Sequence, residues 1–441
     1  MSTSVTALPG TPNLLLGAYD LAALGYGVEE FVVSGTARSY ATDENADYTT
    51  RIVVCRPAEF NGTVIVEWLN VSGGIDAPAV WFMAHREIMR SGFAYVAVSA
   101  QHVGVEGGDN LVGMNMSLKA QDPERYSRLQ HPGDQFSFDI FSQVGQLIRD
   151  GAVDGLTPKS ILAVGESQSA MFLTTYVNEV DPDAAAFDGF LVHSRFGPGA
   201  PLAGTSALEA AVPAPFRDDL RVPVLSVITE TDLVDGHLLG YHHARRPDTD
   251  SLRVWEIPGT AHADNYTIRV GFIDNGAVPL DALVEAYAPT NELMGTTLSY
   301  TINFASQHHY VLQAAVAALD NWVRGGEPAP AAQPLTLSDG DTPALVLDEH
   351  GLARGGVRTP WVDVPIARTS GFAPDESPMS FLFGSGEMFD GDTVSALYPG
   401  GTADYLGRFT AALDEAIAGG FIVSADREEI LALAEAVFPA G

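Results

Sequence analysis

The sequence predicts an α/β fold, a central and mostly parallel β-sheet with helices on its faces. Three observations carry this. Short apolar runs alternate with amphipathic stretches through the middle of the chain, the pattern of repeated βαβ units. The 441 residues are 46% hydrophobic and 18% charged, which supplies a sizeable core and argues against disorder. No internal repeat interrupts the alternation.

Taken in order, strand-like runs fall at about 30–33, 50–56 and 63–68, with Asn61-Gly62 turning into the third. A helix follows over 79–90. Asp76 is placed to cap its N-terminus, Pro78 suits its first turn, and Gly92 ends it. Residues 94–99 read as a buried strand, and 101–134 as a loop rich in Gly, Asp and Asn. A helix over about 135–149 takes Asp134 as its N-cap. Next come a strand at 160–164 and a helix to about Asn178. Strands at 187–192, 222–228 and 252–257 follow. Leu312, Ala315, Val316, Leu319, Trp322 and Val323 recur at helical spacing until Gly325-Gly326 stops them. Residues 327–332, Glu-Pro-Ala-Pro-Ala-Ala, read as a linker. Helical patterns return around 403–418 and 426–437. The expected division is one domain over 1–370, with a lid inserted at about 265–305, and a C-terminal helical extension over 371–441 packed on the core.

Charge excludes several functions. Lys and Arg number 23 against 56 Asp and Glu, a net charge of −33. Such a chain has no polyanion-binding footprint, so no nucleic-acid partner is expected. Anionic membrane surfaces repel it. The one cysteine, Cys55, excludes an intrachain disulfide, and its apolar run Ile52–Cys55 makes it a core residue. No apolar run reaches 18 residues, and Met1–Ala7 lacks the basic and apolar stretches of a secretory signal. The expectation is a soluble, cytoplasmic protein.

The chemistry concentrates in Gly165-Glu166-Ser167-Gln168-Ser169, between a strand and a helix. That is the context of a nucleophile elbow, where a sharp turn lifts a serine hydroxyl above the sheet. Gly165 keeps the turn tight, whereas Ser169 puts a hydroxymethyl group where a glycine is usual. Sixty-five residues on, the strand at 222–228 leads into Glu230-Thr231-Asp232. Thirty residues after Asp232, His262 follows the last strand. The order Ser167, Asp232, His262 matches a nucleophile, an acid and a base, with Glu230 as the rival acid. Two backbone N–H groups would form an oxyanion hole. One is that of Gln168, and the other comes from the loop Asn70–Gly74, at Val71 or Ser72, with Asn70 orienting the loop.

On these residues the chain resembles the α/β-hydrolase superfamily, and within it the family known mostly as α/β-hydrolase domain-containing proteins. The matching pieces are 66–74, 131–134, 165–169, 229–232 and 355–363, and the resemblance covers most of the chain from about residue 30. In that family the serine motif also ends in serine. The resemblance implies a serine hydrolase and supplies no substrate.

Other candidates are weaker. His242-His243 and His308-His309 lack an acid at i, i+4 spacing, so no metal is expected. No dinucleotide motif is present, and no cofactor is needed. His131 is a lesser candidate for the active-site wall, and Asp264 reads as a loop acid. Arg358 and Asp363 read as a structural ion pair. Residues 110–115 and 304–310 are candidate pocket walls. The apolar residues of 265–305 favour a pocket for moderately sized apolar esters, and the negative charge disfavours anionic substrates unless Arg195 or Arg269 compensates. The expected activity is therefore a serine esterase acting on a small-molecule ester. Acyltransferase, lactonase or amidase chemistry on the same triad is the alternative, and a non-catalytic binding protein is a third reading.

Overall fold

The computed structural model describes residues 3–204, 210–374 and 380–439. The strands are β1 (Ser4–Ala7), β2 (Tyr26–Arg38), β3 (Asn45–Pro57), β4 (Thr63–Trp68), β5 (Ala94–Val98), β6 (Ser160–Glu166), β7 (Gly189–His193), β8 (Val224–Thr229) and β9 (Leu252–Ile257). They form one sheet in the order β1-β2-β3-β5-β4-β6-β7-β8-β9. From β5 to β9 every pairing is parallel, and β1, β2, β3 and β5 pair antiparallel. The expected fold class stands.

Alternation along β3 builds both halves of the core. Ile52 and Val54 face one side, with helices 137–149 and 168–175 packed there. Val53 and Cys55 face the other, under helices 79–90 and 307–323. Cys55 is buried as expected.

The differences from expectation have local causes. β2 and β3 are long partners in full register from Tyr26↔Pro57 to Arg38↔Asn45. Their outer ends carry exposed polar residues that hide them from an apolar scan. β1 is short and mostly exposed, and backbone pairing to β2 alone reveals it. The loop 101–134 contains short helices at His102–Glu106 and Leu118–Gln121. Helix 307–323 starts earlier than its apolar spacing because its first turn buries Gln307, His308 and His309.

Two expected caps are wrong. Asp76 does not cap helix 79–90; it faces the fully buried Arg51 at 3.0 Å. The Glu67 carboxylate takes the cap's role, accepting the Val80 N–H at 2.8 Å and the Trp81 N–H at 3.0 Å. Burial pushes the Glu67 carboxyl up to about 8, against the bonds from Tyr95 and the helix. Asp134 opens a short 3-10 turn before helix 137–149 and accepts the N–H of His102 at 2.7 Å, serving another helix. Residues 327–332 are not a free tether either. The Ala329 and Pro330 carbonyls accept from Arg253 and Trp255 of β9.

Helices 402–418 and 427–437 bury Tyr405, Phe409, Leu413 and Ile430 with Tyr310 of helix 307–323. Arg90 reaches Asp426 at 2.9 Å, and Tyr310 donates to Glu429 at 2.7 Å, so both core helices hold this C-terminal layer. Among the described residues, no helix is long and apolar enough to cross a membrane.

Candidate active site

Ser167 stands between β6 and helix 168–175 with φ 61° and ψ −122°. A non-glycine residue held at such a φ stores strain of about 1–3 kcal/mol, and the surrounding structure must enforce it. Here Gly165 and Ser169 do so. A Cβ on Gly165 would lie 2.9 Å from Leu173 Cδ1. The Ser169 hydroxyl donates to the Glu166 carbonyl at 2.8 Å and accepts the Glu166 N–H at 3.0 Å. The hydroxymethyl group that looked intrusive in the sequence is the staple of the turn.

The Ser167 hydroxyl lies 2.8 Å from His262 Nε2 and is its donor. On the other side of the ring, His262 Nδ1–H donates to Asp232 Oδ1 at 2.6 Å. The second Asp232 oxygen accepts the Thr229 N–H at 3.0 Å and its hydroxyl at 2.7 Å. All three side chains are buried. Burial alone lowers the basicity of His262, but the adjoining Asp232 carboxylate and then Glu166 outweigh it, and the imidazole is raised above its ordinary value.

Glu230, the rival acid, is elsewhere. Its carboxylate accepts the N–H groups of Gly259 and Gly371, binding the loop that carries His262 to the C-terminal segment. Burial pushes it up to about 7.

The Asn70 loop abuts the elbow, as Asn70 Nδ2 donates to the Glu166 carbonyl at 3.0 Å. Asn70 Oδ1 accepts both the N–H and the hydroxyl of Ser72, at 2.9 and 2.8 Å. The Ser72 N–H, an expected oxyanion donor, is therefore engaged within its own loop. Among the described residues, no acceptor takes the N–H of Val71 or of Gln168.

A cavity of about 1150 Å³ opens on Ser167 and His262. Its walls are largely apolar, with Phe82, Phe196, Ile268, Phe272, Leu382 and Phe383 among them. Leu111 and Val112 contribute as the candidate wall 110–115 suggested, but no residue of 304–310 lines it. Arg269 is on the wall, whereas Arg195 is not. Arg195 is buried between Phe216 and Tyr241 and donates to the carbonyls of Phe196, Gly197 and Ala214. Burial without a carboxylate partner lowers it to about 10. His131 is also structural, bonded to the Ala100 carbonyl at 2.8 Å and away from the cavity. Arg358 and Asp363 form the expected ion pair at 2.9 Å.

Two features escaped the sequence. Glu166 lines the cavity, with Oε1 3.5 Å from His262 Nε2, and burial pushes its carboxyl up to about 7. Beside it runs a buried chain of polar groups. Asp264 Oδ2 lies 3.2 Å from His308 Nδ1, and His308 Nε2 lies 2.9 Å from His193 Nε2. The His193 carbonyl accepts the Ser167 N–H at 3.0 Å. Asp264 is thus a buried anchor rather than a plain loop acid. The His308-His309 doublet was visible, but Asp264 is 44 residues from His308 and no local spacing points to it. His309 belongs to the core, stacked on Tyr266 at 3.8 Å.

The sheet order, the elbow and the serine–histidine–aspartate arrangement define an α/β protein of the hydrolase type. The chain matches the alpha/beta hydrolase domain family over residues 3–432 and belongs to it. Among solved structures it is similar to the Pyrococcus furiosus esterase Pf2001, with 11% identity, a TM-score of 0.29, and coverage of 56% of this chain and 86% of that one. It is similar to esterase Est22, with 12% identity, a TM-score of 0.30, and coverage of 47% and 64%. A CE15 glucuronoyl esterase from Teredinibacter turnerae gives 13% identity, a TM-score of 0.28, and coverage of 52% and 61%. No curated protein matches the chain.

Proposed function

We propose that this protein is a serine esterase that cleaves moderately sized apolar carboxylic esters through an acyl-serine intermediate. The observation that carries the reading is the continuous line from the strained Ser167 through His262 to Asp232, at 2.8 and 2.6 Å. In this reading Ser167 attacks the acyl carbon while His262 Nε2 takes its proton. Asp232 holds Nδ1–H, fixing the tautomer and stabilising the imidazolium. The Gln168 and Val71 N–H groups receive the oxyanion, each worth roughly 3 kcal/mol of barrier. His262 then protonates the leaving alcohol, and water hydrolyses the acyl-serine by the same route.

The apolar walls support the substrate class. Ile268, Phe272 and Met294 lie on the cavity, which supports reading 265–305 as a lid, joined there by Phe381–Phe383 from the C-terminal extension. Ser167→Ala is the direct test. Hydrolysis of nitrophenyl esters should fall on the order of 10³-fold or more in a variant that remains folded. A folded variant keeping most of its activity would remove the nucleophile from the account.

A further inference from the structure

Beyond β8 the chain passes through a short helix, Glu230–Leu233, and returns in a single turn at Tyr241–Ala244. Gly240 makes the return possible. A Cβ there would lie 2.4 Å from the Val234 carbonyl carbon and 2.6 Å from the Leu233 oxygen. Its N–H donates to Asp235 Oδ1 at 2.9 Å, which fixes that carboxylate in the fold of the loop. The reversal sets two histidines beside Asp235. His243 Nε2 lies 3.0 Å from each carboxylate oxygen, and His242 Nε2 lies 3.8 Å from Oδ2. One ligand atom of each residue lies within 4.8 Å of the other two. Among the described residues this is the one group of three such side chains that converges so closely.

The surroundings suit metal ligation. His242 Nδ1–H donates to the Leu233 carbonyl at 3.0 Å, leaving the lone pair on Nε2, the atom near Asp235. A backbone carbonyl on the far ring nitrogen is the usual way a metal-ligating histidine is oriented. A tetrahedral zinc ion with ligands at about 2.0–2.2 Å holds neighbouring ligand atoms about 3.4 Å apart, within the spread found here. Two imidazoles and one carboxylate favour zinc and its transition-metal neighbours over magnesium or calcium. A net charge of −33 attracts cations.

We propose that Asp235, His242 and His243 bind one divalent transition-metal ion, zinc foremost, with water completing the coordination. The ion clamps the loop. His237 and Leu238, between the ligands, line the cavity, so the clamp holds one wall of the pocket. It takes no part in the steps at Ser167. The sequence hides the site because Asp235 lies seven residues before His242, on a stretch that only the Gly240 turn brings round.

The test uses tag-free full-length protein stripped with a chelator, titrated with Zn²⁺ by calorimetry and with Co²⁺ by visible absorption. Expected are one ion per chain, the d–d bands of a four-coordinate Co²⁺ site, and slowed amide exchange across 233–246 on adding Zn²⁺. His242→Ala, His243→Gln and Asp235→Asn should each weaken binding at least tenfold, since losing even an orienting partner costs about 10–100-fold. The metal-free melting temperatures of the His243→Gln and Asp235→Asn variants should match the parent, because both side chains are partly exposed. Absence of binding by the parent overturns the proposal, as does unchanged binding in the His242→Ala/His243→Gln double variant. Neither readout depends on esterase activity.

Discussion

At the scale of single residues, the acid and the neighbouring glutamate separate cleanly by their partners. Asp232 holds His262, while Glu230 holds two backbone N–H groups of loops. Asp232→Asn should therefore lower kcat by several orders of magnitude, through loss of the tautomer that Nδ1–H requires. Glu230→Gln should act mainly on thermal stability. A steady-state comparison of the two variants decides, and the reverse order would make Glu230 the triad acid. Glu166 has a subtler effect. Its carboxylate is one of the charges raising His262, and His262 must be neutral to act as base. The acid limb of kcat/KM should therefore have its midpoint above the ordinary histidine value of about 6.5. Glu166→Gln removes a charge that favours the imidazolium, so the limb should move to lower pH. A limb that stays put or moves up in a pH-rate profile would contradict this placement of Glu166.

At the scale of elements, the elbow and the pocket wall make different demands. Ser169 bonds the backbone of Glu166 twice. Ser169→Ala should cost about 1–2 kcal/mol in denaturant unfolding, with a further loss of kcat as the Ser167 turn relaxes. The cavity walls predict that kcat/KM rises from acetate-length acyl chains towards longer ones, read with nitrophenyl esters of two to about ten carbons. A flat profile would mean that 265–305 does not shape the site. What the sequence revealed and concealed also divides by element. β4 to β9 and the buried helices were legible because each is an unbroken apolar run or a periodic stripe. The order serine, acid, histidine was legible because each residue follows the C-terminal end of a strand. β1 and the outer halves of β2 and β3 were not, since they are held by backbone pairing and carry polar side chains. The Asp76 cap failed because Glu67, on the neighbouring strand in space, reached the helix first. The Asp264–His308–His193 chain and the Asp235 cluster join residues that only tertiary folding brings together.

At the scale of the whole molecule, buried carboxyls and a large negative charge act together. Burial raises Glu67 to about 8 and Glu166 and Glu230 to about 7. Free glutamate in an unfolded chain titrates near 4.3. Above the ordinary histidine value of about 6.5 these carboxyls hold protons that the unfolded chain has lost, so stability falls as pH rises from there to about 8. Below it the buried His85, His131, His193 and His309, whose basicity burial lowers, pull the other way. Self-repulsion at a net charge of −33 works in the same direction as the carboxyls. Melting temperatures should therefore increase from pH 8 down to about pH 6.5, the ordinary histidine value, and added salt should raise the value at pH 8 by screening. Glu67→Gln should flatten the slope, and a slope of opposite sign would show that carboxylates in ion pairs dominate instead. The central claim concerns the nucleophile that the whole fold presents, and a fluorophosphonate probes it in one step. Treatment of the intact protein followed by mass spectrometry of its peptides should find one phosphonyl group, on Ser167, with activity lost in proportion to labelling. Ser167→Ala should take up none. An unlabelled Ser167 in folded, ester-cleaving protein would contradict the account.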